Sequence, residues 1–271
     1  MIASFPMYDL DEVRAHTDAL WRAIAAEIRG ASRSRRLSVP EALTRPAGDL
    51  LEHWLRTDIV LSHTCGYPVA NSFTPLQHVL GSFDVATGEP GVPGWYRSVI
   101  VCREDDHRIH GPEKRGITAF DGAIAAVNDE GSLSGWVSLG WAMAEAGATA
   151  GSIVLSGSHV ESARIVRNGT ADLASLDAHT LALLRAHRPV AVEGLHVVAR
   201  GPLVAVTPLF TAHVALVDVL RESISAAVAR LDQSSRDALQ LRGWVPHDRD
   251  AHEGVVAMAE RARHGLPGGG N

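Results

Sequence analysis

The sequence predicts an α/β protein, and three observations carry that reading. Between residues 123 and 186, short apolar runs alternate with segments of helical periodicity. Each of those runs ends in a hydroxyl-rich or acidic corner that opens the next helix: Asn128 to Trp136, Ser156 to His159, and Asp177. The same theme, more weakly, starts the chain, where Ile2 to Met7 is followed by Tyr8-Asp9 and Asp58 to Ser62 by His63 to Pro68. Alternation of this length implies a parallel sheet covered by helices on both faces.

Taken in order, Ile2 to Met7 reads as a buried strand. Asp9 with Glu12 three residues on forms a capping-box pattern for a helix whose apolar face is Leu10, Val13, Leu20, Trp21, Ile24 and Ile28. Arg36 to Val39 reads as a strand, Leu50 to Leu55 as a helix and Asp58 to Ser62 as a strand. From Gln77 to Arg103 the pattern is β-like, with Gly88, Gly91, Pro93 and Gly94 marking a turn before the run Trp95 to Arg103. Strands then follow at Ala123 to Val127, Ser152 to Leu155 and Asp172 to Leu176, each with its helix: Ser134 to Ala146, Ser158 to Asn168 and Asp177 to Ala186. Leu195 to Arg200 and Leu203 to Thr207 read as two strands interrupted by Gly201 and Pro202. Val214 to Leu231 and Ala251 to Arg263 read as helices, and the glycine-rich tail as disordered.

Composition narrows the function. With 271 residues, 46% of them hydrophobic, the chain can bury a full core. A formal charge of -6 with scattered Lys and Arg argues against a nucleic-acid partner, and the one basic cluster, Arg33 to Arg36, reads as a solvated loop. No apolar run approaches the roughly 18 to 20 residues of a membrane span, so no membrane insertion is expected. Cys65 and Cys102 are the only cysteines and read as two free thiols, with one disulfide as the alternative. The 14 histidines form no HExxH and no close pair at metal-ligand spacing, so neither a metal nor a cofactor is expected. His63 beside Cys65 has no orienting acid, and the thiol reads as a small buried group, so no catalytic residue is assigned.

The polar corners carry the chemistry. A helix start exposes unpaired backbone N–H groups and about half a positive charge, which suits an anion. Ser132 and Ser134, flanked by Gly131 and Gly135, supply more hydroxyls than a cap requires. Ser158 with Glu161, and Asp177, also fit as N-caps of their helices. Tyr8, Thr64 to Tyr67, Asn128 to Ser134, Ser158-His159 and Asp177 each follow a strand, and ligands of open α/β sheets bind at the carboxyl ends of strands.

At this point the chain resembles the phosphate/phosphonate-type substrate-binding proteins of ABC transporters. The matching pieces are Phe5-Pro6-Met7-Tyr8-Asp9, the loop Ser62 to Pro68, Tyr96 to Val101, Asn128 to Gly135, Gly157-Ser158-His159 and Asp172 to Asp177, in the family's order over roughly the first 210 residues. The resemblance implies an α/β chain of two Rossmann-like lobes joined by a two-stranded hinge, the type II periplasmic binding protein architecture. Lobe 1 would hold residues 1–98 and 202–271, and lobe 2 residues 99–201. It implies Ser132, Ser134 and Gly135 as anion donors with His159, Tyr8, Tyr67 and Tyr96 as aromatic partners, and Asp177 as an acid toward a ligand amine. Thr64, Asn128 and Ser158 complete the expected ligand set. Leu133 departs from the usual hydroxyl-rich run and removes one hydroxyl contact.

The leading expectation is therefore a non-enzymatic solute-binding protein that closes by hinge motion on a small anionic or zwitterionic ligand and serves an ABC transporter permease. The alternatives are an enzyme on the same fold, like the menaquinone-pathway dehydratases or thiamine-pyrimidine synthases, and a cytoplasmic ligand sensor. The resemblance places the protein in the periplasm; the chain as written shows no signal peptide, which leaves the cytoplasm open.

Overall fold

A computed structural model describes residues 1–31, 38–110 and 116–267. In chain order its elements are β1 (Ile2–Ser4), α1 (Arg14–Ala31), α2 (Leu50–Trp54), β2 (Ile59–His63), α3 (Gly66–Asn71), β3 (His78–Val85), β4 (Trp95–Arg103) and α4 (His107–His110). They continue with β5 (Ile124–Val127), a π-helical turn (Leu133–Val137) that runs into α5 (Ser138–Glu145), β6 (Ser152–Leu155), α6 (His159–Arg167), β7 (Leu173–Leu176) and α7 (Ala178–His187). The last are β8 (Leu195–Ala205), β9 (Pro208–Thr211), α8 (Val217–Arg230), α9 (Gln233–Ala238), β10 (Leu241–Pro246) and α10 (Gly254–Ala262). The Arg33-to-Arg36 loop and the glycine-rich tail lie outside the described residues, as does the first half of the strand expected over Arg36 to Val39; Ser38 and Val39 form no strand.

The chain divides into two compact units, Met1–Trp95 with Ala205–Glu253, and Tyr96–Val204 with Gly254–Asn271. The first contains a five-stranded sheet in the order β1-β2-β9-β3-β10. β1 and β2 run parallel, while β9 and β10 pair antiparallel with their neighbours. Helix α1 buries Leu20, Trp21, Ile24 and Ile28, and α8 buries Leu220, Ile224, Ala227 and Val228, where the two helices meet. Each large apolar side chain so buried contributes about 1.5–3 kcal/mol. Helix α1 begins at Arg14, five residues after Asp9, rather than directly after the expected cap. The Asp9 carboxylate accepts from Arg45 Nε at 2.7 Å.

The second unit carries the sheet β6-β5-β7-β4-β8, with β5 parallel to β6 and β7, and β4 antiparallel to β7. Both sheets are thus mixed rather than the parallel sheet expected. Ile100, Phe120, Val127, Leu139, Met143 and Leu173 form part of the core of this unit. β8 runs unbroken through Gly201 and Pro202, because it is the sheet's edge strand, where a missing N–H is tolerated. The C-terminal helix departs from the expected division: α10 packs on α5 in the second unit. Glycine explains the fit, since a Cβ on Gly140 would collide with the Ala262 backbone and one on Gly265 with the Gly140 carbonyl.

Candidate functional site

In the second unit, β5, β6 and β7 run side by side, so the corners that follow them share one sheet edge. Backbone bonds join the first two: Gly157 N–H donates to the Asn128 carbonyl at 3.0 Å, and Ser156 N–H to the Val127 carbonyl at 2.9 Å. After β5 the chain enters the π-helical turn with Ser132 as its N-cap, and Gly135 N–H donates to Ser132 Oγ at 3.0 Å. Single π-turns of this kind concentrate at functional sites. Ser134 Oγ lies 2.8 Å from His159 Nε2 and 3.5 Å from Ser132 Oγ. The Ser175 hydroxyl donates to the Ser134 carbonyl at 2.6 Å and fixes the turn from β7.

Glycine at 135 is required by Asn128, whose Oδ1 occupies the space a Cβ would need. That Oδ1 is buried and has no hydrogen-bond partner among the described residues. The His159 imidazole is held below the ordinary histidine value by burial; the Asp177 carboxylate and the Ser175 backbone oppose that shift. Asp177, 2% exposed, follows β7 and caps α7, its Oδ1 accepting from Thr180 N–H at 2.8 Å while Oδ2 accepts from Tyr96 OH at 2.6 Å.

The structure therefore brings together Ser132, Ser134, Gly135, His159 and Asn128, and joins Tyr96 to Asp177. Ser158 is exposed, and its hydroxyl caps α6 by accepting from Glu161 N–H at 3.1 Å. Ser175 escaped the sequence reading; its only signal was a lone hydroxyl in the apolar strand Leu173–Leu176.

In the first unit, Tyr8 follows β1 with φ of 68°, a left-handed conformation that costs a non-glycine residue about 1–2 kcal/mol. Such outliers cluster at ligand sites. Its ring stands edge-on to His63 at 5.4 Å between centroids, and His63 Nε2 donates to the Thr207 carbonyl at 3.0 Å. Thr64 is buried, its N–H donating to the Pro208 carbonyl at 2.9 Å. Tyr67 is the second residue of α3 and half-buried. Cys65 and Cys102 are both free and buried. Among the described residues, no group of His, Cys, Asp and Glu could hold a metal ion.

A family model described as ABC transporter, phosphonate, periplasmic substrate-binding protein matches residues 56–252. The chain belongs to this family. Members of the phosphonate-binding family are substrate-binding proteins that work with ABC transporters, and that is the role of this chain. Its fold is that of the type II periplasmic binding proteins.

Solved structures agree in fold. PhnD1 from Prochlorococcus marinus, solved in complex with methylphosphonate, superposes with a TM-score of 0.72 at 11% identity, covering 97% of this chain and 97% of that one. A binding protein component of an ABC phosphonate transporter from Pseudomonas aeruginosa gives 0.69 at 16% identity, with 97% and 87% covered. A Xanthomonas citri protein bound to chloride ion gives 0.67 at 15% identity, with 97% and 98% covered. No curated protein sequence matches the chain. Among the described residues no helix is long and apolar enough to cross a membrane.

Proposed function

We propose that the solute is a small alkylphosphonate-like oxyanion, held in the second unit by Ser132, Ser134, Gly135 and His159. The observation that carries this reading is the 2.8 Å contact between Ser134 Oγ and His159 Nε2, which couples the turn after β5 to the first residue of α6. Rotatable hydroxyls and an imidazole can each turn a hydrogen toward acceptor oxygens, and a tetrahedral oxyanion offers several at once. The methylphosphonate bound by PhnD1 supports the class.

Tyr8, Thr64 and Tyr67 of the first unit are proposed as further contacts, with Asn128 and Ser158 supporting the anion corner. Tyr96 and Asp177 enter as a bonded pair; since both Asp177 oxygens already accept hydrogen bonds, a simple anion fits better than a ligand whose amine must find that carboxylate. Hinge closure through β4 and β8, with division near 98/99 and 201/202, location in the periplasm and an ABC permease as partner belong to the same proposal.

A thermal-shift panel tests it, with methylphosphonate, ethylphosphonate, 2-aminoethylphosphonate, phosphate, phosphite and methanesulfonate, and calorimetry on each hit. A ligand at a hundred times its Kd stabilises the native state by about 2.7 kcal/mol. A saturable shift with an alkylphosphonate recovered unchanged is expected. No shift with any phosphonate overturns the assignment.

A further inference from the structure

The donors gathered around Ser134 carry no formal charge. Ser132 Oγ, Ser134 Oγ and Gly135 N–H bond among themselves and to His159, and among the described residues no Arg or Lys side chain bonds to any of them. The charged group that bears on His159 is an anion, the Asp177 carboxylate at the end of β7. The two groups that bond or face the ring from the π-turn and from β7, the Ser134 hydroxyl and the Ser175 backbone, are neutral. On α6 itself Glu161 is engaged by Arg164, and beyond β5 the Asp129 carboxylate accepts from Gly131 N–H. Among the described residues, an anion arriving here meets the Asp177 charge and no cationic side chain bonded to these donors.

We infer that the anion enters this corner together with a proton, so that His159 is neutral in the ligand-free protein and an imidazolium in the complex. The inference rests on the proposed function above. The proton comes from solvent and goes to the imidazole; no other bond is made or broken. Ser134 links it to the ligand. A neutral His159 with Nε2 bare accepts the Ser134 hydrogen, whereas the imidazolium donates from Nε2 to Ser134 Oγ and turns the Ser134 O–H onto the anion. Asp177 then becomes an asset, stabilising the imidazolium. Burial holds the free imidazole below its ordinary value, and the ligand's charge acts in the opposite direction.

The sign follows from linkage. A ligand that raises the His159 pKa binds the protonated form more tightly, and its affinity falls as pH rises between the free and bound values, by up to about tenfold per pH unit.

Histidine-ring NMR on the full chain, with methylphosphonate as the probe, reads this in the wild-type protein. His159 is expected to titrate at least about one pH unit higher in the saturated protein than in the free one. Identical titration in both states overturns the inference and leaves the proposed function standing; a protein that no phosphonate saturates overturns both. A second reading cancels the ligand's own ionisation: the ratio of Kd between wild type and His159→Gln at two pH values that bracket the free and bound His159 titrations so measured. That ratio should change by about tenfold across the range, and a constant ratio overturns the inference.

Discussion

Tyr96 donates its phenolic hydrogen to Asp177 Oδ2 at 2.6 Å, joining residues 81 positions apart inside the second unit. Both side chains are buried, and the same carboxylate holds the first turn of α7 through Thr180 N–H. Removing the phenol takes a hydrogen bond from a buried carboxylate, which costs about 1–3 kcal/mol. Tyr96→Phe is therefore expected to lower stability in urea unfolding by that amount, and Asp177→Ala by more, since it also loses the cap. A Tyr96→Phe protein as stable as its parent would show that the bond contributes nothing.

Ser132 and Ser134 differ in what their loss should do. Ser132 Oγ accepts from Gly135 N–H, so Ser132→Ala removes a cap and should cost about 1 kcal/mol of stability along with affinity. Ser134→Ala leaves the cap intact and should act mainly on binding. Hydrogen bonds to charged groups contribute about 1.5–3 kcal/mol, so affinity for methylphosphonate should fall about tenfold or more. Calorimetry on both variants separates the effects, and unchanged affinity in the double variant would sink the anion assignment.

Much of this site was legible because it is local. Ser132, Ser134 and Gly135 sit within four positions, and Ser158 and Asp177 cap the helices that the sequence assigned to them. What escaped depends on distant partners. Asp9 looks like the first residue of a helix, yet α1 begins at Arg14 and the Asp9 carboxylate is bonded by Arg45, 36 positions on. β10 was hidden by Gly243 and Pro246 and by half-exposed side chains that lack clean alternation; it exists because β3 offers an edge to pair with. Gly201-Pro202 suggests a break in β8, yet an edge strand tolerates it. The expected attachment of the C-terminal helix to the first unit failed for a related reason: its true partner surface is made by Gly140 and Gly265, whose value is the side chain they lack.

Gly135 and Asn128 form a pair that can be tested together. A Cβ at position 135 would overlap Asn128 Oδ1 and come within 3.2 Å of Ser132 Oγ. Gly135→Ala should therefore destabilise by about 1–3 kcal/mol, the usual range for overpacking, and weaken ligand binding as the turn shifts. Adding Asn128→Ala removes the nearer obstacle, so the double variant should be more stable than Gly135→Ala alone. Chemical denaturation of the two single variants and the double variant measures the coupling, and additive effects would mean that Asn128 is not the group requiring glycine.

Acid lability should come from His252 before any carboxylate. Its ring is 1% exposed, and neither nitrogen has a hydrogen-bond partner among the described residues. Burial first, then the neighbouring His247 and Arg249, push its pKa down to about 3 from the ordinary 6.5. A depressed histidine pKa means that the unfolded chain binds the proton more readily, so stability is full above about pH 6.5 and falls as pH drops toward about 3. By about pH 5 the loss reaches about 2 kcal/mol. Asp106 acts in a lower window: its hydrogen bonds from Arg108 hold the carboxyl near about 2, so its contribution persists until pH falls below its ordinary 3.8. His247, whose ring lies 5.5 Å from His252, is lowered too, but Ser82 bonds its Nε2. His252→Leu should then flatten the melting-temperature profile between about pH 6.5 and about pH 4, without loss at neutral pH, because it replaces two unpaired buried nitrogens with an apolar group. A His252→Leu profile that falls as steeply as the wild type's would assign the acid sensitivity elsewhere.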